Sequence, residues 1–229
     1  MLKKQYFFII LTIIFCAFSF AESDHILIDD FSSYNPESFP DSWKMQNNKA
    51  KKYYKICSEN DNKYLTIDSI DDSVNIGKEL AWDIKTYPYL HWRWRVKVHP
   101  EKADQRNPDC HDCGAAIYVI IKNNFSFLPK YIKYVWSTCV PQDSRFFYKK
   151  NRAVVIKRCD ENVSNEWKFE KANVYEDFLY FYKDAKPEII GISILSDGNE
   201  THSESSADYD DIIISKHEDL PANDDRKNH

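Results

Sequence analysis

The chain reads as all-β: strands in two packed layers forming an antiparallel β-sandwich, with one short helix at about residues 173–183. Three observations carry this reading. About ten short segments either alternate apolar and polar residues or run apolar throughout, and polar or Pro-bearing turns separate them. Only one stretch, after Trp167, shows a helical apolar stripe. Fourteen Phe and fifteen Tyr offer ample core material, while four Gly in 229 residues leave no Gly-rich phosphate loop.

Residues 26–31 (Ile-Leu-Ile-Asp-Asp-Phe) form the first expected strand, followed by a Ser/Asn/Pro-rich loop. Segments 53–57 and 63–68 flank the polar cluster Ser-Glu-Asn-Asp-Asn and read as a hairpin; 73–82 is a weaker strand. Residues 89–98 (Tyr-Leu-His-Trp-Arg-Trp-Arg-Val-Lys-Val) alternate most clearly. Leu90, Trp92, Trp94 and Val96 share one face, and His91, Arg93, Arg95 and Lys97 share the other. A long polar loop over 99–114 follows, and loops of that length are often functional. Residues 117–121 are apolar on both faces, as in a strand buried on both sides. Segments 131–137 and 153–158 are two further strands. For the helix, Asn173 can cap the N-terminus with Glu176 three residues on, and Tyr175, Phe178, Leu179 and Tyr182 form the stripe. Pro187 is expected to end it. Residues 189–195 and 209–215 complete the strands.

The N-terminus carries a different signal. Lys3 and Lys4 precede a mostly apolar run over 6–18 that closes on Ser19-Phe20-Ala21, the pattern of a secretory signal peptide. The run is shorter than the roughly 20 residues of a spanning helix, and no other segment is apolar enough to cross a bilayer. The expected organisation is a signal peptide at 1–21, a single sandwich domain at 22–216, and a disordered polar tail at 217–229. The protein is expected to be exported, periplasmic or extracellular, with no transmembrane segment in its mature form. Residues 1–21 hold two lysines and no acid, which leaves 29 basic against 36 acidic side chains, a net charge of −7. That balance argues against nucleic acid as a partner.

In order, these pieces resemble DUF3047, a family of bacterial exported proteins of unknown function. The matching residues are Asp29-Asp30-Phe31, Phe39-Pro40-Asp41-Ser42-Trp43, the Trp-Arg-Trp-Arg strand, Ala115 to Val119, Tyr134-Val135-Trp136, Asn173 to Asp177, Gly191 to Thr201 and Tyr209 to Ile212. Departures fall at Ala116, where the family often has Arg, and at Asn199, where it often has a second Asp; the loop cysteines are not a general family feature. A looser resemblance is to carbohydrate-binding jelly rolls, which also open on an Asp-Phe strand with a Pro-x-x-Trp turn and close on an Asp-hydrophobic strand. It implies a jelly-roll-like sandwich and, as a partner, a glycan or another cell-envelope component.

Candidate sites follow. His91, Arg93 and Arg95 in one row can bind an anionic ligand, because the guanidinium fork suits a carboxylate. The competing reading, favoured by the excess of acids, pairs them with carboxylates of neighbouring strands. Asp197-x-Asn199-x-Thr201 spaces oxygen side chains as calcium loops do but lacks the Gly and Glu of an EF-hand, and Asp30 with Asp211 is a second calcium possibility near the terminal strands. No other cofactor is expected. Five cysteines follow residue 21, and export makes disulfides the default. If 117–121 and 131–137 form a hairpin, Cys139 returns beside Cys113 and Cys110, so a bridge from Cys139 to one of these, Cys113 above all, is expected. If 131–137 and 153–158 pair antiparallel, Cys159 falls at the far end. No catalytic motif appears. A hydrolase or lyase acting on polysaccharide would need two carboxylates, with Asp104, Asp109, Asp112 and Glu166 first to test. The alternatives are thus a non-catalytic glycan-binding module, such an enzyme, or a purely structural envelope protein.

Overall fold

The computed structural model describes residues 23–124, 126–183 and 187–220, so the expected signal peptide and the chain beyond Leu220 lie outside the described residues. In chain order come β1 (His25–Asp29), β2 (Lys44–Met45), α1 (Ala50–Tyr53), β3 (Tyr54–Glu59), β4 (Asn62–Ile70), β5 (Ile76–Glu79) and β6 (Tyr89–Val98). Then follow β7 (Cys113–Ile121), β8 (Lys130–Ser137), β9 (Arg145–Lys149), β10 (Arg152–Cys159), β11 (Lys168–Asn173), α2 (Val174–Tyr182), β12 (Ile189–Asp197) and β13 (Glu204–Ser215).

These strands form two sheets. One runs β11-β6-β13-β4-β3, with β1 also paired to β13; the other runs β2-β5-β12-β7-β8-β10-β9. The result is a jelly-roll-like, largely antiparallel β-sandwich. β6 is an interior strand, flanked by β11 and β13, so both of its edges are hydrogen-bonded. Its even residues Leu90, Trp92, Trp94 and Val96 are fully buried between the sheets. There Trp92 and Trp94 meet edge to face at 5.2 Å, and Trp136 of the opposite sheet packs on Trp94 at 5.7 Å. The facing layer is supplied by odd residues of β7 (Ala115, Ile117, Val119) and even residues of β8 (Ile132, Tyr134, Trp136). Tyr209 ties the layers together: its hydroxyl donates to the Leu195 carbonyl at 2.7 Å and accepts from the Ala116 amide at 2.7 Å.

The helix begins as expected, with the Asn173 side chain accepting from the Glu176 amide at 3.0 Å. It ends at Tyr182, five residues before Pro187, because Lys183 turns left-handed at φ 50°. Three strands were not foreseen, β2, β9 and β11, nor was the one-turn helix α1, and β9 changes the topology. β9 folds back on β10 at the sheet edge, which leaves β10 parallel to β8. The antiparallel pairing considered for these two segments is therefore corrected, and Cys159 comes opposite Ser137, at the same end as Cys139. His217 to Leu220, assigned above to the polar tail, do not all face solvent. Leu220 is buried, and Glu218 and Asp219 both pair with Lys171.

Candidate functional site

The seven-stranded sheet buries one face in the core and presents the other as a cleft of about 390 Å³. Strand alternation decides what lines it. The neighbours of the core residues are Tyr118 on β7, Tyr131 and Lys133 on β8, Arg152 and Val154 on β10, and Ser193, Leu195 and Asp197 on β12. Tyr148 of β9 and His111 of the long loop form one wall, their rings stacked at 4.5 Å and 13°. Tyr118 and Tyr131 meet edge to face at 5.2 Å. The far rim is polar: Asn75 Nδ2 donates to Ser193 Oγ at 3.3 Å, and the Asn75 amide donates to Gln46 Oε1 at 3.0 Å. Gln105 anchors the long loop beneath, donating to the Asp112 carbonyl and accepting from Ser137 Oγ at 2.5 Å.

The charges in the cleft are set by burial and by close neighbours. Lys133 is 6% exposed. Burial works against its charge, but Cys113, Tyr118 and Asp197 around it outweigh that, so its ammonium is held well above the ordinary lysine range. Burial pushes the Tyr118 hydroxyl up, and burial together with Asp197 pushes the Cys113 thiol up. Burial and then Lys133 lower His111. At neutral pH the cleft therefore holds a charged lysine, a neutral imidazole and protonated phenols. Arg152 sits over the Tyr131 ring at 5.7 Å.

At one end of the cleft Asp197 belongs to an acidic group. Asp112, Asp197 and Glu200 each offer an oxygen, all within 4.8 Å of one another. Asp112 Oδ2 accepts from the Thr201 amide (2.7 Å) and Oγ1 (2.8 Å), and Asp197 Oδ1 accepts from the Cys113 amide (2.9 Å). Burial opposes ionisation of Asp112, but hydrogen bonds from the 200–201 turn more than offset it and its carboxyl lies below the usual range. Burial, followed by the neighbouring Asp112, raises Glu200 to about 7.

The residues expected from the sequence fall elsewhere or take other roles. His91, Arg93 and Arg95 lie on the outer face of the six-stranded sheet, and all three are buried. Arg93 pairs with Asp210 and Asp211, both at 2.7 Å; Arg95 pairs with Asp208 at 2.6 Å and Glu59 at 2.9 Å. Both guanidiniums lie over the Trp167 ring, at 5.0 and 4.8 Å, and His91 Nε2 bonds Ser215 Oγ at 2.8 Å. Their hydrogen-bonding capacity is directed at adjacent strands, although His91 and Arg93 also edge a second cleft of about 620 Å³ beside Phe169 and Leu220.

Of the residues expected to bind calcium, Asp197 alone belongs to the acidic group, and its companions are Asp112 and Glu200. Asn199 Oδ1 is buried nearby, while Thr201 donates to Asp112. Asp30 closes its own turn on Ser32, and Asp211 is taken by Arg93. The acid held at the end of β1 is Asp29, and its cation is Lys78 Nζ at 2.8 Å. The expected disulfide is also corrected: all five described cysteines are free. Cys113 turns inward and donates to Asp197 at 3.2 Å, while Cys139 Sγ donates to the Ala103 carbonyl at 3.2 Å. Sequence reasoning missed Tyr118, Tyr131, Lys133, Tyr148 and Arg152. Their signal was weak, a polar tip at alternate positions of strands whose remaining residues look like core.

Fold and site together define the class: a two-sheet, jelly-roll-like sandwich with a cleft on one sheet face. The chain belongs to DUF3047, a family of proteins of unknown function, whose profile matches residues 41–213. This bears out the resemblance carried by the Trp-Arg-Trp-Arg strand. Among solved structures, the chain is similar to a family 11 carbohydrate-binding module of a cellulosomal cellulase from Clostridium thermocellum. The identity is 11%, the TM-score 0.43, and 87% of this chain and 99% of that one are covered. It is also similar to a family 27 module of Caldicellulosiruptor saccharolyticus in complex with mannohexaose, at 9% identity and TM-score 0.46, covering 86% and 100%. No curated protein matches it in sequence. No helix among the described residues is long and apolar enough to cross a membrane.

Proposed function

We propose that this protein is an exported, non-catalytic module of the cell envelope that binds a glycan in the cleft of the seven-stranded sheet. The observation that carries the reading is the pairing of ring faces with polar side chains in one concavity, Tyr148 with His111 and Tyr118 with Tyr131, beside Arg152, Lys133 and Asn75. A sugar ring has an apolar C–H face that packs on aromatic rings and a rim of hydroxyls that needs donors and acceptors. A volume of about 390 Å³ lies within the range of small-ligand clefts. The protonation states support binding over turnover, because the lysine is charged, the phenols are protonated, and the Cys113 thiol is buried and raised. Asp112, a carboxylate that a hydrolytic reading would use, has no exposed surface. The basic, apolar leader over 1–21 supports export.

The test is a glycan array followed by calorimetric titration of the best hit. Arg152→Ala removes an exposed side chain of the cleft and Tyr148→Ala a half-buried one that also packs on the neighbouring apolar cluster, so folding of the second is checked by its melting curve. Each is expected to weaken binding about tenfold or more, an aromatic face or a charged hydrogen bond contributing roughly 1.5 kcal/mol. An array without hits, or affinity unchanged in both variants, would overturn the reading.

A further inference from the structure

We infer that Asp112, Asp197 and Glu200 form a calcium site that ties the long loop after β6 to the turn between β12 and β13. Sequence spacing does not announce the site, since Asp112 lies 85 residues before Asp197; the β7–β12 register, with Asp197 opposite Cys113, brings the two acids together. Oxygens bound to calcium at about 2.4 Å can be no more than about 4.8 Å apart across the ion. The three carboxylates offer oxygens all within 4.8 Å of one another.

A second observation is independent of that spacing. Asp112 is fully buried, and although Thr201 satisfies its Oδ2, its Oδ1 has no hydrogen-bond partner. Glu200 Oε2 and Asn199 Oδ1 are buried in the same state. The Asp112 and Glu200 carboxyls are in hydrogen-bond reach of each other, and the Asn199 side chain also reaches Glu200. Buried acceptors left without donors are costly, so something positive belongs there.

Lys133 does not supply it. Its Nζ lies over the Tyr118 ring at 5.5 Å, and the carboxylate acting on it is Asp197, with neither Asp112 nor Glu200 paired to it. His111 Nδ1 stands 3.7 Å from Glu200, beyond hydrogen-bond distance; it faces the Pro108 carbonyl at 3.2 Å and its ring stacks on Tyr148. The donors available are carboxylate and amide oxygens, a hard set that suits calcium. Zinc would want nitrogen or thiolate, and the Cys113 thiol is turned to Asp197, to which it donates at 3.2 Å. The bound ion would also fix His111, the residue next to Asp112, against Tyr148 in the cleft wall. That consequence rests on the glycan reading, whereas the ion site does not.

The experiment is titration of chelator-treated protein with calcium chloride, read by calorimetry and by melting temperature, with magnesium chloride in parallel. One site is expected, with affinity in the 10⁻⁵ to 10⁻³ M range, roughly that of sensor and extracellular calcium sites. The melting temperature should rise by about 5–10 °C at about 100 times the dissociation constant, and magnesium should bind more weakly. Asp112→Asn and Glu200→Gln should each abolish the calcium response, whereas Asp109→Asn, an exposed acid of the same loop, should retain it. Glu200→Gln keeps the test decisive should Asp112→Asn fail to fold, because a glutamine amide can donate to Asp112 without any ion. No heat at about 10 mM calcium, above the weak end of extracellular sites, would overturn the inference and leave a shared proton on the Asp112–Glu200 pair. A calcium response that survives in Glu200→Gln would overturn it equally. Both readouts are made without glycan, so a failed array leaves this result standing.

Discussion

Replacing Arg93 with Met should be among the most damaging single changes outside the tryptophan core, and its cost should depend on pH. Arg93 is 4% exposed, and its guanidinium holds two carboxylates, Asp210 and Asp211, both at 2.7 Å. Methionine keeps much of the aliphatic bulk, so the loss is one of charge more than of volume. Breaking a buried ion pair costs about 3–5 kcal/mol, because the partner is left charged and unpaired. Losing the stack on Trp167 at 5.0 Å adds about 0.5–2 kcal/mol. The pH dependence follows from Asp210, which burial and then the adjacent Asp211 raise to about 7. A carboxyl whose pKa is higher folded than unfolded binds more protons in the native state between those two values. Stability from this group therefore falls as pH rises from about 4 to about 7 and is regained on acidification. Without Arg93, Asp210 climbs further and the window extends above 7. The variant should consequently lose about 4–6 kcal/mol at pH 8 but roughly 1–2 kcal/mol less at pH 5, where a proton on Asp210 separates the two charges. Urea unfolding at both pH values, extrapolated linearly to water, measures this. A cost below about 1 kcal/mol, or one identical at pH 5 and 8, would refute the argument that the Trp-Arg-Trp-Arg arginines serve the sheet.

Two further outcomes are expected. In a thiol-labelling time course on the native protein, the exposed Cys139 should react first and the buried Cys113, whose thiol burial pushes up, last; a bridged or unreactive Cys139 would contradict the free-thiol arrangement. Asn173→Ala should cost about 1 kcal/mol by removing the acceptor for the Glu176 amide, and Asn173→Asp should restore most of it, both read by chemical denaturation.

Much of the fold was legible because strand alternation is a local property. β6 could be read to its ends, and the burial of Trp92 and Trp94 followed from period two alone. The N-cap at Asn173 was equally visible, since a capping side chain reaches only three residues on. β9 and β11 were not, because Arg-Phe-Phe-Tyr-Lys and Lys-Phe-Glu-Lys-Ala-Asn become strands only by docking on β10 and β6. The end of the helix was set by the left-handed turn at Lys183, which its residue type does not announce.

The site was less legible, for a related reason. Tyr118, Lys133 and Arg152 each look ordinary on their own strand, and they make a cleft wall only because β7, β8 and β10 lie side by side. The expected Cys139 bridge failed although β7 and β8 pair antiparallel as foreseen, since Cys113 turns inward to Asp197 and Cys139 to the Ala103 carbonyl; the parallel placement of β10 corrects only the position of Cys159. By itself the sequence determined an all-β sandwich, the strand β6, its family and which face of that strand would be apolar, all consequences of spacing along one chain. Tertiary structure alone decided that Arg93 would be spent on Asp210 and Asp211, and that Asp112 would meet Asp197 and Glu200. Charge partners are chosen by which strands become neighbours, and long-range pairing leaves no period to read.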